Sequence, residues 1–402
     1  MASELISVPA ELLRGGTSKG VFLLEGDLPA DRSLWGPYLI ELMGGRSPRA
    51  VAGISGGDPP TSKVCILDRS DHPDVDIVFT FAQIALGQER VMWDLNCGNL
   101  SATVGVFAIR SGLVEARQPS TTVRVFQANT NSVMRVEVPV GPDGPRVDGD
   151  FVLEGVPGSG APVWIDFSAT TGASLDRGIF PTGNRTDVLD VAGHGPVECS
   201  IVDVANASVF FRPQDIGFTG TERIEQGPEM LPGYAAIRRA AQRRLEMDAS
   251  SWTPWPVSVT AATEYTLSDG TLQRADACDI VVRFVNQPPR AMHQAHPATG
   301  LACVAAAAEL EGTVVSAILR EQSRRVNSGY RTIGHPSGAV KIRTDVTDVD
   351  GLPRLDDLSI ARTWNPLLSG TAFVRKSEID GLVSRLAPDS STRAGVPPRR
   401  GY

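Results

Sequence analysis

Cysteine is sparse in this chain of 402 residues: Cys65, Cys97, Cys199, Cys278 and Cys303 are five, widely spaced, with no Cys-x-x-Cys pair. An odd and scattered set excludes a disulfide framework and a zinc site of paired cysteines, and fits reduced thiols in a cytoplasm. Positive charge is also short, with 38 Lys and Arg against 46 Asp and Glu and a formal charge of -8. A nucleic-acid partner would need a local basic face against that field, and none is visible. The longest apolar stretch near a helix, Pro297 to Ala308, is interrupted by Thr299 and Gly300 and closed by Glu309. It falls short of the ~20 residues that cross a bilayer, so no membrane partner is expected. Met1 to Leu13 carries Glu4 and Glu11 and lacks a basic segment followed by an apolar run, which speaks against secretion and for a cytoplasmic location. His293 and His296 are three apart, but no carboxylate or cysteine ligand pattern adjoins them and Pro297 follows, so no metal site is read there.

What is present is a globular composition too long for one core, and two domains are expected, 1–188 and 189–386, with a disordered Pro/Ser/Arg/Gly tail over 387–402. Short apolar or alternating runs bounded by Gly, Pro or Asp predict strands at Val21–Leu24, Val64–Leu67, Val75–Ile84, Thr121–Phe126, Ser132–Val140, Val197–Val204, Val257–Thr266 and Cys278–Val285. Helices are predicted at Asn99–Ile109, ending at Gly112, at Pro232–Met247, and at Thr299–Leu310, ending at Gly312. Two of these begin alike: Asn96-Cys-Gly-Asn99 and Pro297-Ala-Thr-Gly300 are polar, Gly-containing leads into Ala-rich helices. The halves therefore read as a diverged duplication.

Two segments share a form, Arg14-Gly-Gly-Thr-Ser-Lys-Gly20 and Gly56-Gly-Asp-Pro-Pro-Thr-Ser-Lys63, each a Gly-rich loop ending in Thr-Ser-Lys and running into a strand. Such loops present N–H groups, hydroxyls and an ammonium together and suit a carboxylate or phosphate; two ordinary turns with surface lysines remain the other reading. A phosphate-binding Walker loop is excluded, because it needs Gly-Lys-Ser/Thr opening a helix. Cys97 stands at a predicted helix start between Asn and Gly residues, where unpaired N–H groups and the helix dipole favour a thiolate or a carboxylate. The other four cysteines lie in apolar or mixed runs and read as packing. His335-Pro-Ser-Gly338 is a polar turn before a strand, able to present a hydroxyl and N–H groups or simply to turn the chain.

Together with Pro181-Thr-Gly-Asn184 and Ile201-Val-Asp203 with Asp215-Ile-Gly217, these segments resemble, in order and over most of the chain, the PrpF family of 2-methylaconitate cis-trans isomerases. The resemblance implies an α+β fold of two similar diaminopimelate-epimerase-like domains. Each would wrap a sheet around a central helix, with the active site in the cleft between them and final strands returning to the first domain. It implies Lys63 as the proton-transferring base with Cys97 beside or opposite it. Arg14, Thr17, Ser18, Lys19, Ser62, Asn96, Gly98, Asn99, Thr299, Gly300, Ser337 and Gly338 are then expected to hold the substrate, an unsaturated di- or tricarboxylic acid. No metal or organic cofactor is needed for the implied allylic proton transfer, and a homodimer is compatible with it. Methylitaconate, aconitate and oxalomesaconate are alternative substrates, and a non-catalytic acid-binding protein is a second reading. A two-thiol amino-acid epimerase is disfavoured, because the second helix begins Ala298-Thr299-Gly300 and Cys303 lies a turn inside it. The chain departs from the family pattern at Ser55, Asp58-Pro-Pro60 and Arg362-Thr-Trp-Asn365.

Overall fold

The computed structural model describes residues 4–93, 96–249, 251–287, 291–323, 329–349, 352–386 and 396–397. Apart from 396–397, the expected tail of 387–402 lies outside them. In chain order the main elements are β1 (Leu5–Gly15), β2 (Ser18–Leu24), α1 (Trp35–Met43), β3 (Lys63–Arg69), β4 (Ile77–Ala85), β5 (Arg90–Met92), α2 (Gly98–Arg110), β6 (Ser120–Gln127) and β7 (Ser132–Gly141). There follow β8 (Asp187–Val191), β9 (Gly195–Val204), β10 (Asn206–Phe211), α3 (Gly227–Arg244), β11 (Trp255–Ala261), β12 (Ile280–Gln287), β13 (Ala291–Met292), α4 (Ala298–Glu309) and α5 (Val314–Glu321). The chain closes with β14 (Tyr330–His335), β15 (Gly338–Val349), β16 (Leu352–Arg362), β17 (Trp364–Arg375) and α6 (Lys376–Leu386).

The chain divides into two compact units, 1–165 with 362–402, and 166–361. Residues 166–188, assigned from sequence to the first domain, bond instead within the second unit. Asp203 accepts from the N–H groups of Ser174 and Leu175, and Thr182 and Asn184 both donate to Asp187. The final strand β17 lies in the first unit, paired along all of β1.

In the first unit the strands run β17-β1-β2-β3-β4-β6-β7, and successive pairs are antiparallel, antiparallel, parallel, antiparallel, parallel, antiparallel. In the second, β8-β9-β10-β11-β12-β14-β15 repeats that series without a change, and β16 adds one more antiparallel strand. The helices fall at equivalent points as well. α1 and α3 each precede the strand that makes the first parallel pair, and α2 and α4 each follow a short antiparallel strand, β5 or β13. The duplication read from two helix starts therefore extends to the whole topology.

The small residues of α2 and α4 explain their place. Every residue of α4 is buried, and α2 is buried from Leu100 to Ile109. A helix apolar on all sides must be covered on all sides, and Gly105 lets Val136 of β7 come so close that a Cβ there would stand 2.7 Å from its methyl. Of the other helices, α3 is buried on one side only, whereas α1 is buried everywhere but at Gly36. Trp35, Tyr38 and Leu39 of α1 meet Ile379 and Leu382 of α6 in one cluster, and Met230, Tyr234 and Ile237 of α3 cover Ile201 and Val209 in another.

Several predicted elements shift. The strand expected over Val257–Thr266 ends at Ala261, and Tyr265–Thr266 pairs separately with Leu272–Gln273. The helix expected from Pro232 starts at Gly227, with Pro232 inside it. No single helix among the described residues is long and apolar enough to cross a membrane.

Candidate functional site

Lys63 and Cys97 meet within the first unit. Lys63 opens β3, where it pairs in parallel with Gly20 and antiparallel with Gln83. Gln83 ties down the residue before it, its Nε2 donating to Ser62 O at 2.9 Å and to Pro59 O at 3.1 Å. Ser62 is wholly buried, and its hydroxyl is used internally, donating to Asp58 O at 2.7 Å and lying 2.5 Å from Ser55 Oγ. Ser62 thus shapes the turn ahead of Lys63. From this clamped backbone Lys63 Nζ reaches 3.2 Å from Cys97 Sγ and stands 5.5 Å from the centre of the Phe81 ring.

Cys97 is the N-cap residue of α2 and is buried. Its own N–H is taken by Asn96 Oδ1 at 2.6 Å, and no side chain caps the helix. The first-turn N–H groups, which have no partner inside any α-helix, therefore begin at Gly98 and Asn99, next to the thiol. Cys65, two residues along β3 from Lys63, is wholly buried, and burial holds its thiol well above the usual range, with the charge of Cys97 adding to the effect and Lys63 opposing it.

The first Thr-Ser-Lys segment is a tight hairpin instead of an open loop: Arg14 pairs with Lys19 and Gly15 with Ser18 across the turn of Gly16 and Thr17. It is pressed against α2. A Cβ on Gly15 would fall on Thr103 Oγ1 and 2.7 Å from Asn99 O, and Gly16, at φ 55°, faces Asn99 Oδ1. Thr17 Oγ1 accepts from Asn99 Nδ2 at 2.9 Å. Lys19 extends over the second loop, its Cε 3.1 Å from where a Cβ of Gly56 would be. Arg14 points elsewhere: its Nη1 donates to Gly16 O, Thr363 O and Thr363 Oγ1, all at 3.1 Å, and burial lowers its pKa. Through Nη1 Arg14 thus ties the hairpin to Thr363, between β16 and β17.

Arg362 was noted in the sequence only as a departure from the family pattern, and it belongs to this cluster. It is buried, its Nε donates to Asn99 Oδ1 at 2.9 Å, and burial brings its pKa down to about 10 while the charge of Cys97 works the other way. Its contact with Asn99 spans 263 residues of sequence, so no local motif could have signalled it.

The second unit gathers Thr299, Gly300, Ser337 and Gly338 around the start of α4. Thr299 Oγ1 accepts from Asn206 Nδ2 at 2.6 Å, and Pro297 leaves the helix without a side-chain cap. Ser337 donates its hydroxyl to Gln294 O at 2.9 Å, and Gly338 O accepts from Tyr265 Oη at 3.0 Å. His296, weighed in the sequence only as a metal ligand beside His293, is buried at φ 48° with its Nε2 against Gly300, and neither ring nitrogen has a hydrogen-bond partner among the described residues. Burial holds its pKa well below the usual value, with His293 and His335 adding to the effect. Cys303 is wholly buried inside α4 against Val202 O, and burial pushes its thiol up to about 12. It offers no counterpart to Cys97. Pro181–Asn184 serves structure, through Asp187, which Arg244 also holds. Among the described residues no group of three His, Cys, Asp or Glu is placed to hold a metal ion.

The sequence matches the PrpF protein family over residues 5–375. It is 34% identical to the 3-methylitaconate isomerase of Eubacterium barkeri, over 94% of this chain and 100% of that one. It is 32% identical to the 2-methyl-aconitate isomerase of Cupriavidus necator, over 91% and 96%. The crystal structure of a methylitaconate-delta-isomerase superposes with a TM-score of 0.83 at 34% identity, covering 94% of this chain and 98% of that one.

Proposed function

We propose that this chain, which belongs to the PrpF family and is an isomerase, moves an allylic proton within an unsaturated di- or tricarboxylic acid, with Lys63 as base and Cys97 as its partner. The observation that carries the reading is the 3.2 Å separation of Lys63 Nζ from Cys97 Sγ at an uncapped helix start. The Lys63 amine takes the proton, and the electron pair left behind becomes a dienolate whose charge spreads onto a conjugated carboxylate. The first-turn N–H groups of α2 are oriented in advance toward negative charge and need no rearrangement as it develops. Either the new ammonium of Lys63 or the thiol of Cys97, within proton-transfer reach of it, returns a proton after rotation or at another carbon. Thr17, Ser18, Lys19, Asn96, Gly98 and Asn99 are proposed to position the acid. The five free, buried thiols support a cytoplasmic location.

The relatives are named for different acids, so the substrate is best found directly, by proton NMR in deuterium oxide with methylaconitate, methylitaconate, aconitate and oxalomesaconate supplied in turn. Deuterium entering one acid at its allylic carbon is the expected result. Lys63→Gln should lower that exchange by roughly 100-fold or more, the usual worth of a positioned base, while Cys97→Ser keeps part of it. Undiminished exchange in Lys63→Gln would remove the assigned base. No exchange with any of the acids in the wild type would turn the reading toward binding without turnover.

A further inference from the structure

We propose that Cys97 and Lys63 are a modification site as well as a proton-transfer pair: peroxide joins them through a sulfur–nitrogen bond, and small thiols open it again. The proposal concerns the regulation of the site described above and rests on the pairing of these two residues, though not on the acid they act on. Access decides which thiol reacts. Cys65, Cys199, Cys278 and Cys303 are at most 1% exposed, whereas Cys97 is 6% exposed. Burial also holds the thiols of Cys65, Cys199 and Cys303 above the usual range. Enclosed, protonated thiols react poorly with peroxide, which leaves Cys97 as the site of attack.

In the first step a sulfur lone pair attacks one peroxide oxygen and the O–O bond breaks, so that thiol and peroxide become a sulfenic acid and water. Sulfur loses two electrons and the peroxide gains them. A sulfenic acid then waits for a second thiol or a nitrogen to take its sulfur. Cys65 is the other cysteine of the first unit, and it is wholly buried with its thiol held protonated. Lys63 Nζ, by contrast, stands 3.2 Å from Cys97 Sγ, inside the ~3–3.5 Å at which reacting atoms are already brought together. The Lys63 amine puts its lone pair on sulfur, the S–O bond breaks, and the hydroxide leaves as water with a proton from the nitrogen. The remaining approach falls to the flexible four-carbon stem of Lys63, because Cys97 is set at the head of α2 with its N–H bonded to Asn96 Oδ1. The link leaves the nitrogen a poor base and the sulfur without a proton, so proton transfer stops, and it shields the sulfur from further peroxide. A small thiol attacking the sulfur breaks the S–N bond and returns the amine, and a second thiol clears the mixed disulfide left on Cys97.

Treatment of the full chain with hydrogen peroxide, followed by mass spectrometry of the intact protein and of its tryptic peptides, reads the link without turnover. The wild type should become lighter by two hydrogen atoms, with the peptide of Lys63, uncut after that residue, joined to the peptide of Cys97. Dithiothreitol should separate the two peptides and restore the labelling of Cys97 by iodoacetamide. In Lys63→Arg the side chain is no longer an amine, and Cys97 should go on to the sulfinic acid, which thiols do not reduce. That irreversible fraction should exceed the wild type's by roughly tenfold or more, because a nucleophile held in place outruns a second peroxide from solution. Should the variant fail to fold, the wild-type peptide map carries the test alone. A disulfide between Cys65 and Cys97, a sulfinic acid formed equally in wild type and variant, or a Cys97 left unlinked and unoxidised would each overturn the proposal. The two readings fail separately: the cross-link without deuterium exchange into any acid would overturn the isomerisation mechanism and leave the link standing, and exchange without the cross-link would do the reverse.

Discussion

Substituting Gly15 by Ala tests whether the hairpin and the helix must meet as closely as they do. A Cβ at this position falls on Thr103 Oγ1 and 2.7 Å from Asn99 O. The first clash can be relieved by moving a side chain, since that buried hydroxyl has no partner among the described residues. The second cannot, because the oxygen belongs to the backbone of the α2 first turn. Restoring an ordinary contact of ~3.4 Å requires a displacement of about 0.5–1 Å, and overpacking of this kind costs about 1–3 kcal/mol. Asn99 carries the contacts to Thr17 and Arg362 and lies two residues from Cys97, so the displacement passes directly to the thiol. A misplacement of ~1 Å can cost roughly 100-fold in rate. Gly15→Ala should therefore keep its fold, lose about 1–3 kcal/mol in urea unfolding and exchange substrate deuterium roughly 100-fold more slowly. Adding Thr103→Ala should return stability more than activity, because it leaves the backbone clash in place. A Gly15→Ala variant exchanging within threefold of the wild type would refute the view that this contact sets the thiol's position.

Two further predictions concern the second unit. Arg331 donates from Nε and Nη2 to one oxygen of Glu309 at 3.0 and 2.7 Å, with both side chains almost wholly buried. Arg331→Met removes the cation from that buried carboxylate, leaving it the hydrogen bond from Thr344 Oγ1, and should cost about 3–5 kcal/mol, or roughly 6–20 °C in Tm, while adding Glu309→Leu should recover most of it; calorimetry checks both. Burial raises the Asp203 carboxyl to about 6, against hydrogen bonds from the N–H groups of Leu175 and Ser174. A carboxyl raised in the folded state takes up its proton before the unfolded chain does, so stability from this group grows as pH falls from about 6 to 4 and is lost as pH rises. Asp203→Asn should remove that dependence, gaining about 2–3 kcal/mol on the wild type between pH 4 and pH 7 in urea titrations; parallel pH profiles would refute it.

Much of the site could be read from the sequence because its key residues sit at chain punctuation. Cys97 between Asn and Gly residues at the head of a small-residue helix, and Lys63 after a Pro-Pro turn, are local signals. The same tripeptide, Thr-Ser-Lys, nevertheless produced two geometries. In one, Gly16 and Thr17 form the two-residue turn of a hairpin, whereas in the other Pro59 and Pro60 open a short 3-10 turn. The helix α1 escaped notice because Gly36 and Pro37 look like turn residues, although proline is tolerated in the first turn of a helix. Arg14 and Arg362 could not be sorted by sequence at all. Which one bonds to Asn99 in the first turn of α2 depends on strands β1 and β17, whose pairing joins positions some 350 residues apart.

That pairing also sets an order of assembly during synthesis. Leu5 lies opposite Arg375, so the strand that completes the first unit is made only after the whole second unit. At ~5–20 residues per second, β1 waits on the order of 20–70 s with one edge uncovered. The second unit is continuous in the chain, 166–361, and can be completed while the first is still open. The part begun first is finished after the second, and Arg362 reaches Asn99 in the first turn of α2 only at that stage. A nascent chain cut short before this point would hold Lys63 and Cys97 and still lack a finished site.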